Sequence, residues 1–337
     1  MNFGSAVAET WSSGMMFPHE PSSGTCPIFL SEGSSLSQPD ISVIIASYST
    51  AQITIDCVQA VMDGSAGVDV EIIVVDDASR DDTVARLRTE YPQITLLVNE
   101  QNEHYAKTNN RGLRECNGRY AMLLNSDAYL APDTLSKLVR YMDEHPDVGA
   151  CGPKLINPDG SVQYCIRSFP GVSVMFFQTL NLHKIWKNNP ISNRYYHLDL
   201  DYDATHTVDS LGTTAFVIRR DVWESGLYLD ERFKIAFVDL AYCAHLGAEG
   251  HRIDYVGQAV ATHLGSQSIN LNSADEVKSR AAGLRLLYDS YLARNDPPWK
   301  RSMTRGGIAV WGWLRRLEYR VSRDKRVITG PGAPKRV

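Results

Sequence analysis

The sequence predicts an α/β protein, a mostly parallel, Rossmann-like sheet flanked by helices. Apolar runs alternate with helical patterns from residue 41 to residue 124, the order expected where each strand is followed by a crossover helix. Polar, acidic turns close several of those runs, as in VVDDAS and LLNSDA, and loops at strand ends hold ligands on a rigid frame. At 337 residues, 43% hydrophobic and 22% charged, the chain has the balance of a soluble globular protein with a large core or two modest ones.

Residues 1–39 are rich in Ser, Gly and Pro without periodicity and read as a disordered leader. A nucleotide-binding half is expected over 40–150. Its strands are ISVIIAS (41–47), VEIIVV (70–75), ITLLV (94–98) and RYAMLL (119–124); its helices are TIDCVQAVM, TVARLRTEY and NNRGLREC. Over 151–270 an acceptor half is expected, opening with GPKLINPDGSVQYCIRSFP, where NPDGS is a turn between two short extended runs. Residues 172–187, VSVMFFQTLNLHKIWK, suit core, an acceptor-site wall or a membrane-contacting helix. VDSLGTTAFVIRR then reads as a strand, DLAYCAHLGAEG as a helix ended by Gly250, and HRIDYVG as a further strand. Residues 271–337 form a helical, basic tail.

The net charge of −5 is unevenly distributed: residues 1–79 hold ten Asp or Glu and no Lys or Arg. From Lys300 onward there are eleven Lys or Arg against Glu318 and Asp324, an electrostatic foot for an anionic surface or a solvated basic end. Val310, Leu314, Leu317 and Val321 share a helical face there, with Trp311 and Trp313 near its start. That suits an interfacial helix or one packed on its own domain. Six scattered cysteines without a CxxC pair suit reduced, buried thiols. With no secretory signal pattern and no long apolar span, the expected location is cytoplasmic, at most peripheral on the inner face of the plasma membrane, and no nucleic-acid partner is expected.

Neither GxGxxG nor GxxxxGK[ST] follows a strand, so neither phosphate cradle is present. Instead Asp76 and Asp77 end the second strand, where a carboxylate accepts hydrogen bonds from ribose or a base; Asp81 and Asp82 fit helix capping. The segment Asn125–Ser126–Asp127 reads locally as an Asx turn at a strand end.

Taken together, SVIIASYS, EIIVVDDASRDDT, NEQNEHYAKTNNRGLRECNGRYAMLLNSDAYL, GPKLINPDGSVQ, VDSLGTTAFVIRRDVW, LDERF and VATHLGSQS resemble the family 2 glycosyltransferases, most closely their bacterial rhamnosyltransferase-like branch. The resemblance implies a GT-A fold, a nucleotide-diphosphate sugar donor (dTDP- or UDP-linked), a Mg²⁺ or Mn²⁺ ion, and inversion at the anomeric carbon. It also implies a glycan or lipid-linked acceptor. NSD stands where that family carries its DxD-like motif, with Asn125 first and Asp127 as the metal carboxylate; His263 matches a late histidine that completes the protein's ligands. Gly265 and Ser266 resemble the loop that closes over the donor phosphates. Asp76 and Asp77 match VVDDxS, with Ala46, Ser47 and Tyr48 lining the same nucleotide pocket. HYAKTNNRG resembles GFAxxNNxG, which makes Lys107, Asn109, Asn110 and Arg111 candidates for the diphosphate and sugar.

For catalysis the resemblance supplies a base from an EDxD segment, matched here by AFVDLAYCAH. Asp239 matches the base, Val238 replaces the preceding Glu, Ala241 replaces the second Asp, and His245 stands where Arg is frequent. Those departures leave a non-catalytic binding or scaffold protein as the alternative to an enzyme.

Overall fold

The computed structural model describes residues 38–171, 189–234, 236–265 and 274–321, with a few isolated positions between 172 and 188. The leader expected over 1–39, the segment 172–187 and the loop at Ser266 therefore lie wholly or largely outside the described residues.

Strands β1 (Ile41–Ser47), β2 (Val70–Asp76), β3 (Thr95–Val98) and β4 (Tyr120–Asn125) pair in parallel, with β1 between β2 and β4 and β3 outside β2. Ile41, Val43, Ile44 and Ile45 are all fully buried, because helices cover both faces of β1 and every position of the run faces apolar neighbours. Helices α1 (Ala51–Asp63), α2 (Thr83–Glu90) and α3 (His104–Glu115) make the crossovers. Gly112 lets α3 lie close on the sheet, since a Cβ there would run into the Ile44 side chain.

After β4 the chain leaves this rhythm. It forms β5 (Ala128–Leu130), α4 (Thr134–Glu144), β6 (Val148–Ile156), β7 (Ile166–Arg167), α5 (Pro190–Tyr196), β8 (Thr205–Thr207) and β9 (Ser210–Leu211). Then come β10 (Ala215–Arg219), α6 (Arg220–Glu224), α7 (Val238–Ala248), β11 (Arg252–His263), α8 (Ala274–Leu287) and α9 (Pro298–Val321). The main sheet runs β3-β2-β1-β4-β10-β6-β11-β5, with β8 also on β11, and β7 pairs with β9 in a separate ribbon. The expected α/β sheet is thus present, parallel in its first half and mixed in its second.

Three expectations change. VDSLGTTAFVIRR is not one strand: Ser210–Leu211 pairs with β7, while Ala215–Arg219 joins the main sheet between β4 and β6, so the chain must turn between them. HRIDYVG continues to His263 through a register shift between Val256 and Val260. Gly257 sits in that irregularity because a Cβ would strike the backbone of Asp203 and Ala204. The expected face of the last helix is also displaced: Thr304, Ile308, Trp311 and Arg315 are buried, whereas Val310 is 52% and Trp313 61% exposed. Side chains beyond Arg316 lie outside the described residues, so Leu317 and Val321 are not placed. Leu284, Leu287, Tyr288, Ala293 and Ile308 join the same hydrophobic core as β1 and β4. Among the described residues no helix is long and apolar enough to cross a membrane, and the five described cysteines are free.

Candidate functional site

Strand order reverses between β1 and β4: the chain moves outward from β1 to β2 and β3, and α3 then carries it back to β4 on the other side of β1, and the carboxyl ends of strands at such a reversal are where α/β sheets hold ligands. The loops leaving β1 and β2 are tied to one another there. Ser49 donates its backbone N–H to Ser79 Oγ (2.8 Å), and Arg80 N–H donates to Ser49 Oγ (3.1 Å). Asp81 braces two helix starts, accepting from Ala51 N–H (3.1 Å) and Thr83 N–H (3.2 Å). Burial raises its carboxyl pKa, but the hydrogen bonds from Thr83 and Ala51 outweigh that and hold it below the usual range. Asp82 stands at the N-cap position of α2 without a side-chain capping bond, so Asp81 does the capping expected of the pair.

The two adjacent carboxylates Asp76 and Asp77 have different surroundings. Asp77 Oδ1 accepts from Asn99 Nδ2 (2.8 Å) and Glu103 N–H (2.7 Å), and Oδ2 accepts from His104 N–H (3.1 Å). These bonds pin the start of α3 at His104 rather than at Asn109, and they make Asp77 a structural brace. Asp76 is fully buried; its Oδ1 accepts from Ser79 N–H (2.9 Å) and its Oδ2 has no partner. A buried carboxylate oxygen left unpaired is costly, which makes it the acceptor free for a ligand's hydroxyl or N–H.

Ala46 and Tyr48 line the same strand end half-buried, and Ser47 is buried with its hydroxyl 2.7 Å from Thr54 Oγ1. Asn125 ends β4, half-buried. On α3, Lys107 pairs with Glu103. Arg111 donates to Val98 O (2.8 Å) and Asn99 Oδ1 (2.5 Å). Asn110 brackets Leu229, donating to its carbonyl (2.8 Å) and accepting from its N–H (3.0 Å). Asn109 donates to Tyr105 O (2.9 Å). Asn110 and Arg111 thus brace α3 within the protein, while Asn109 Oδ1 is buried without a partner.

Asp127 and His263 come together through sheet register. The antiparallel pairing of β5 with β11 sets His263 opposite Ala128, and Leu264 N–H donates to Asp127 O at 2.9 Å. His263 Nε2 then lies 3.2 Å from Asp127 Oδ1, both side chains largely buried. The other ring nitrogen, Nδ1, is 2.6 Å from Gln163 Oε1. Among the described residues no three His, Cys, Asp or Glu side chains are grouped to hold a metal, so this pair is the acidic and imidazole set at the crevice.

Asp239 lies in the first turn of α7, after Phe237 at φ +67°, and accepts from Leu240 N–H at 2.9 Å. The buried phenol of Tyr105, which donates to Thr213 O (2.8 Å), stands within electrostatic reach of both Asp239 and Asp127. Burial raises the Tyr105 pKa most, and the two carboxylates add to the rise. Arg167 has no sequence signal beyond its place in IRSFP. It packs over the Tyr196 ring at 5.8 Å and faces Tyr195 and Asp239, whose influence keeps it charged against the opposing effect of burial. Val238 is 3% exposed and Ala241 fully buried, so both departures from EDxD face the core. His245 tilts toward the Tyr291 ring at 5.7 Å.

The family model described as glycosyl transferase family 2 matches residues 42–226. The chain is 28% identical over 209 residues to O-antigen biosynthesis protein RfbC of Myxococcus xanthus, a stretch covering 61% of this chain and 16% of that protein. It is 24% identical over 273 residues to an N-acetylglucosaminyl-diphospho-decaprenol L-rhamnosyltransferase of Mycobacterium tuberculosis, covering 77% of this chain and 87% of that one. Among solved structures, the mannosyltransferase PcManGT from Pyrobaculum calidifontis, in complex with GDP-Man and Mn²⁺, superposes with a TM-score of 0.51 at 16% identity, over 85% of this chain and 74% of that one. TarS of S. aureus does so with a TM-score of 0.51 at 16% identity, over 84% of this chain and 44% of that one. These two likenesses are of fold, the GT-A arrangement.

Proposed function

The chain belongs to glycosyl transferase family 2, and on that premise we propose that it is an inverting transferase working from a nucleotide-diphosphate sugar to a hydroxyl of a glycan or glycolipid. The observations that carry this reading are a partnerless Asp76 oxygen at the end of β2, the Asp127–His263 pair after β4, and Asp239 within electrostatic reach of the same Tyr105 as Asp127. In this reading Asp76 accepts from the ribose or base, and Ala46, Ser47, Tyr48 and Asn125 wall the nucleotide. Asp239 takes the acceptor's proton as its oxygen attacks the anomeric carbon; the bond to the diphosphate oxygen breaks on the opposite face.

The donor set at Asp127 and His263 fits a divalent ion. It offers one hard oxygen and one imidazole nitrogen, and leaves the remaining positions to the donor's phosphates, a pattern that favours Mn²⁺ over Mg²⁺. Such an ion, when bound, supplies charge neutralisation for the departing diphosphate. The non-catalytic alternative rests on Val238 and Ala241, both buried here, and donor binding without turnover is the result that would favour it.

Surface-polysaccharide assembly is the setting suggested by the relatives' names, and rhamnose from dTDP-rhamnose is the first donor to try, ahead of UDP-linked sugars. A peripheral membrane site fits the last helix, where Trp299, Met303, Val310 and Trp313 are all more than half exposed at spacings that share one face. Pelleting with anionic liposomes should fall in a Trp299→Ser, Trp313→Ser double variant, and unchanged pelleting removes the membrane arm.

The deciding experiment is calorimetric titration of the full chain with dTDP, UDP and GDP, each with Mn²⁺, Mg²⁺ or EDTA, beside Asp127→Ala. Nucleotide binding that needs the metal and is lost in the variant supports the reading. No binding of any of the three overturns it.

A further inference from the structure

The NPDGSVQ segment is more than a turn. Its polar residues alternate at 157, 159, 161 and 163, and their side chains form one directed chain of hydrogen bonds that ends on His263. Asp159 accepts only, so Ser161 Oγ donates to it (2.5 Å). Ser161 has then used its proton and accepts from Asn157 Nδ2 (3.0 Å). Asn157 Oδ1 accepts from Gln163 Nε2 (3.0 Å), which leaves Gln163 Oε1 to accept from His263 Nδ1 (2.6 Å). The backbone fixes the frame: Asn157 N–H donates to Ser161 O (2.8 Å), Gln163 N–H to Leu155 O (2.8 Å), and Ile156 bridges Val162.

Each step dictates the next, and the last places the imidazole proton on Nδ1. His263 Nε2 therefore presents a lone pair to Asp127 Oδ1 at 3.2 Å, two acceptors facing one another. In the neutral ring that juxtaposition is repulsive until a cation joins it, either a second proton on Nε2 or a divalent metal ion. With the proton on Nε2 instead, the ring would donate to Asp127 and close the pair off from a metal.

We propose that Gln163, held by Asn157, is a positioning residue that keeps His263 in the tautomer able to bind a divalent cation with Asp127. This deepens the metal-dependent reading above and rests on it. An outer partner that orients a ligating histidine in this way contributes about 10–100-fold to metal affinity.

The test uses the full chain and follows the EPR signal of free Mn²⁺ during titration, with dTDP and with UDP in parallel. In Gln163→Leu, Mn²⁺ affinity is expected to fall about 10–100-fold. Gln163→Glu is expected to stay within a few-fold of wild type, because a carboxylate still accepts from Nδ1 and the Asn157 amide can turn to donate to it. Asn157→Leu should fall between the two. Circular dichroism should be the same in all four proteins. Wild-type affinity in Gln163→Leu overturns the proposal, and so does an equal loss in Gln163→Glu, which would mark lost packing rather than a lost acceptor. Should wild type itself fail to take up Mn²⁺, the metal reading of the site falls first, and that failure is visible before any variant is compared.

Discussion

The two edges of the parallel half-sheet are made by the same four strands and treat their polar groups in opposite ways. At the amino edge every charge named here is answered: Arg119 donates to Asp40 (2.7 Å) and Asp143 (2.5 Å), Tyr120 OH donates to Asp143 (2.7 Å), and Asn117 Nδ2 donates to Glu71 (2.7 Å). At the carboxyl edge Asp76 Oδ2 is buried without a partner, and Asp127 faces the nitrogen of His263. Backbone strain follows the same division. Among the described residues five non-glycine residues have positive φ: Ser49, Ala78 and His104 lie in the carboxyl-edge loops, Phe237 precedes Asp239, and His197 lies elsewhere. Neutral groups without a partner are also buried on the helices, at Asn109 Oδ1, Asn193 Oδ1 and Thr304 Oγ1, but among the described residues the carboxylate oxygen left unpaired is the one at the carboxyl edge.

The largest effect that would sharpen this contrast is on chemistry. Asp239→Asn keeps the shape of α7 and removes the base, so sugar transfer should drop about 10²–10⁴-fold while nucleotide affinity holds. A variant that transfers at the wild-type rate would take Asp239 out of the mechanism.

Next in size comes the Asp76 and Asp77 pair. Asp77→Ala strips three hydrogen bonds from the start of α3 and should destabilise the protein by about 3 kcal/mol in urea unfolding. Asp76→Asn removes an unpaired buried charge, so stability should hold or rise by about 1 kcal/mol. Nucleotide affinity should fall about tenfold or more. If the two variants behaved alike, the division between brace and ligand group would fail.

That pair also marks what the sequence makes legible. β1, β2 and β4 follow from local runs, because each is long, apolar and packed beneath helices, and the shorter β3 follows from the same alternation. The fate of two neighbouring aspartates does not, since which of them is left open depends on α3 docking its first turn on Asp77, 26 residues later. Asp127 and His263 could be named by resemblance, yet their meeting depends on a three-residue strand, β5, pairing with the end of β11, a register with no local signal. The break at Gly212–Thr214 carries no turn signal beyond one glycine, and the choice of partner strand is what divides VDSLGTTAFVIRR. Gln163 is illegible for a different reason: NPDGS is a strong turn signal, and the period-two spacing of 157, 159, 161 and 163 acquires a meaning once His263 is placed beside Gln163.

A smaller effect tests the amino edge. The Arg119 hydrogen bond is the main reason the Asp143 carboxyl titrates below its ordinary value of 3.8; in Asp40 the Asp69 N–H leads and Arg119 follows. A depressed folded pKa contributes stability that is present above 3.8 and lost as pH falls through the folded value, so the network should weaken in acid below that point. Arg119→Met should cost about 1 kcal/mol near neutral pH, since these groups are partly exposed, and should flatten the acid limb of the stability curve. Nucleotide affinity should not move. A loss of affinity would mean that the two edges are coupled through the sheet.

The finest test concerns strain alone. Ala78 sits at φ +63° in the turn between Asp77 and Ser79, whose hydroxyl accepts from Ser49 and whose N–H is bound by Asp76. A left-handed alanine is disfavoured by about 1 kcal/mol or more, and glycine removes that penalty. Glycine also loosens the unfolded chain by about 0.4–1 kcal/mol, so Ala78→Gly should change stability by less than about 0.5 kcal/mol, with a slight gain expected. Affinity is where strain and its release part company. A loop held rigid by a strained residue presents Asp76 ready-made, whereas glycine lets it sample other shapes, so nucleotide binding should weaken severalfold with stability unchanged. If affinity also stayed level, the strained turn would play no part in holding the crevice, and the difference between the edges would reduce to their polar groups.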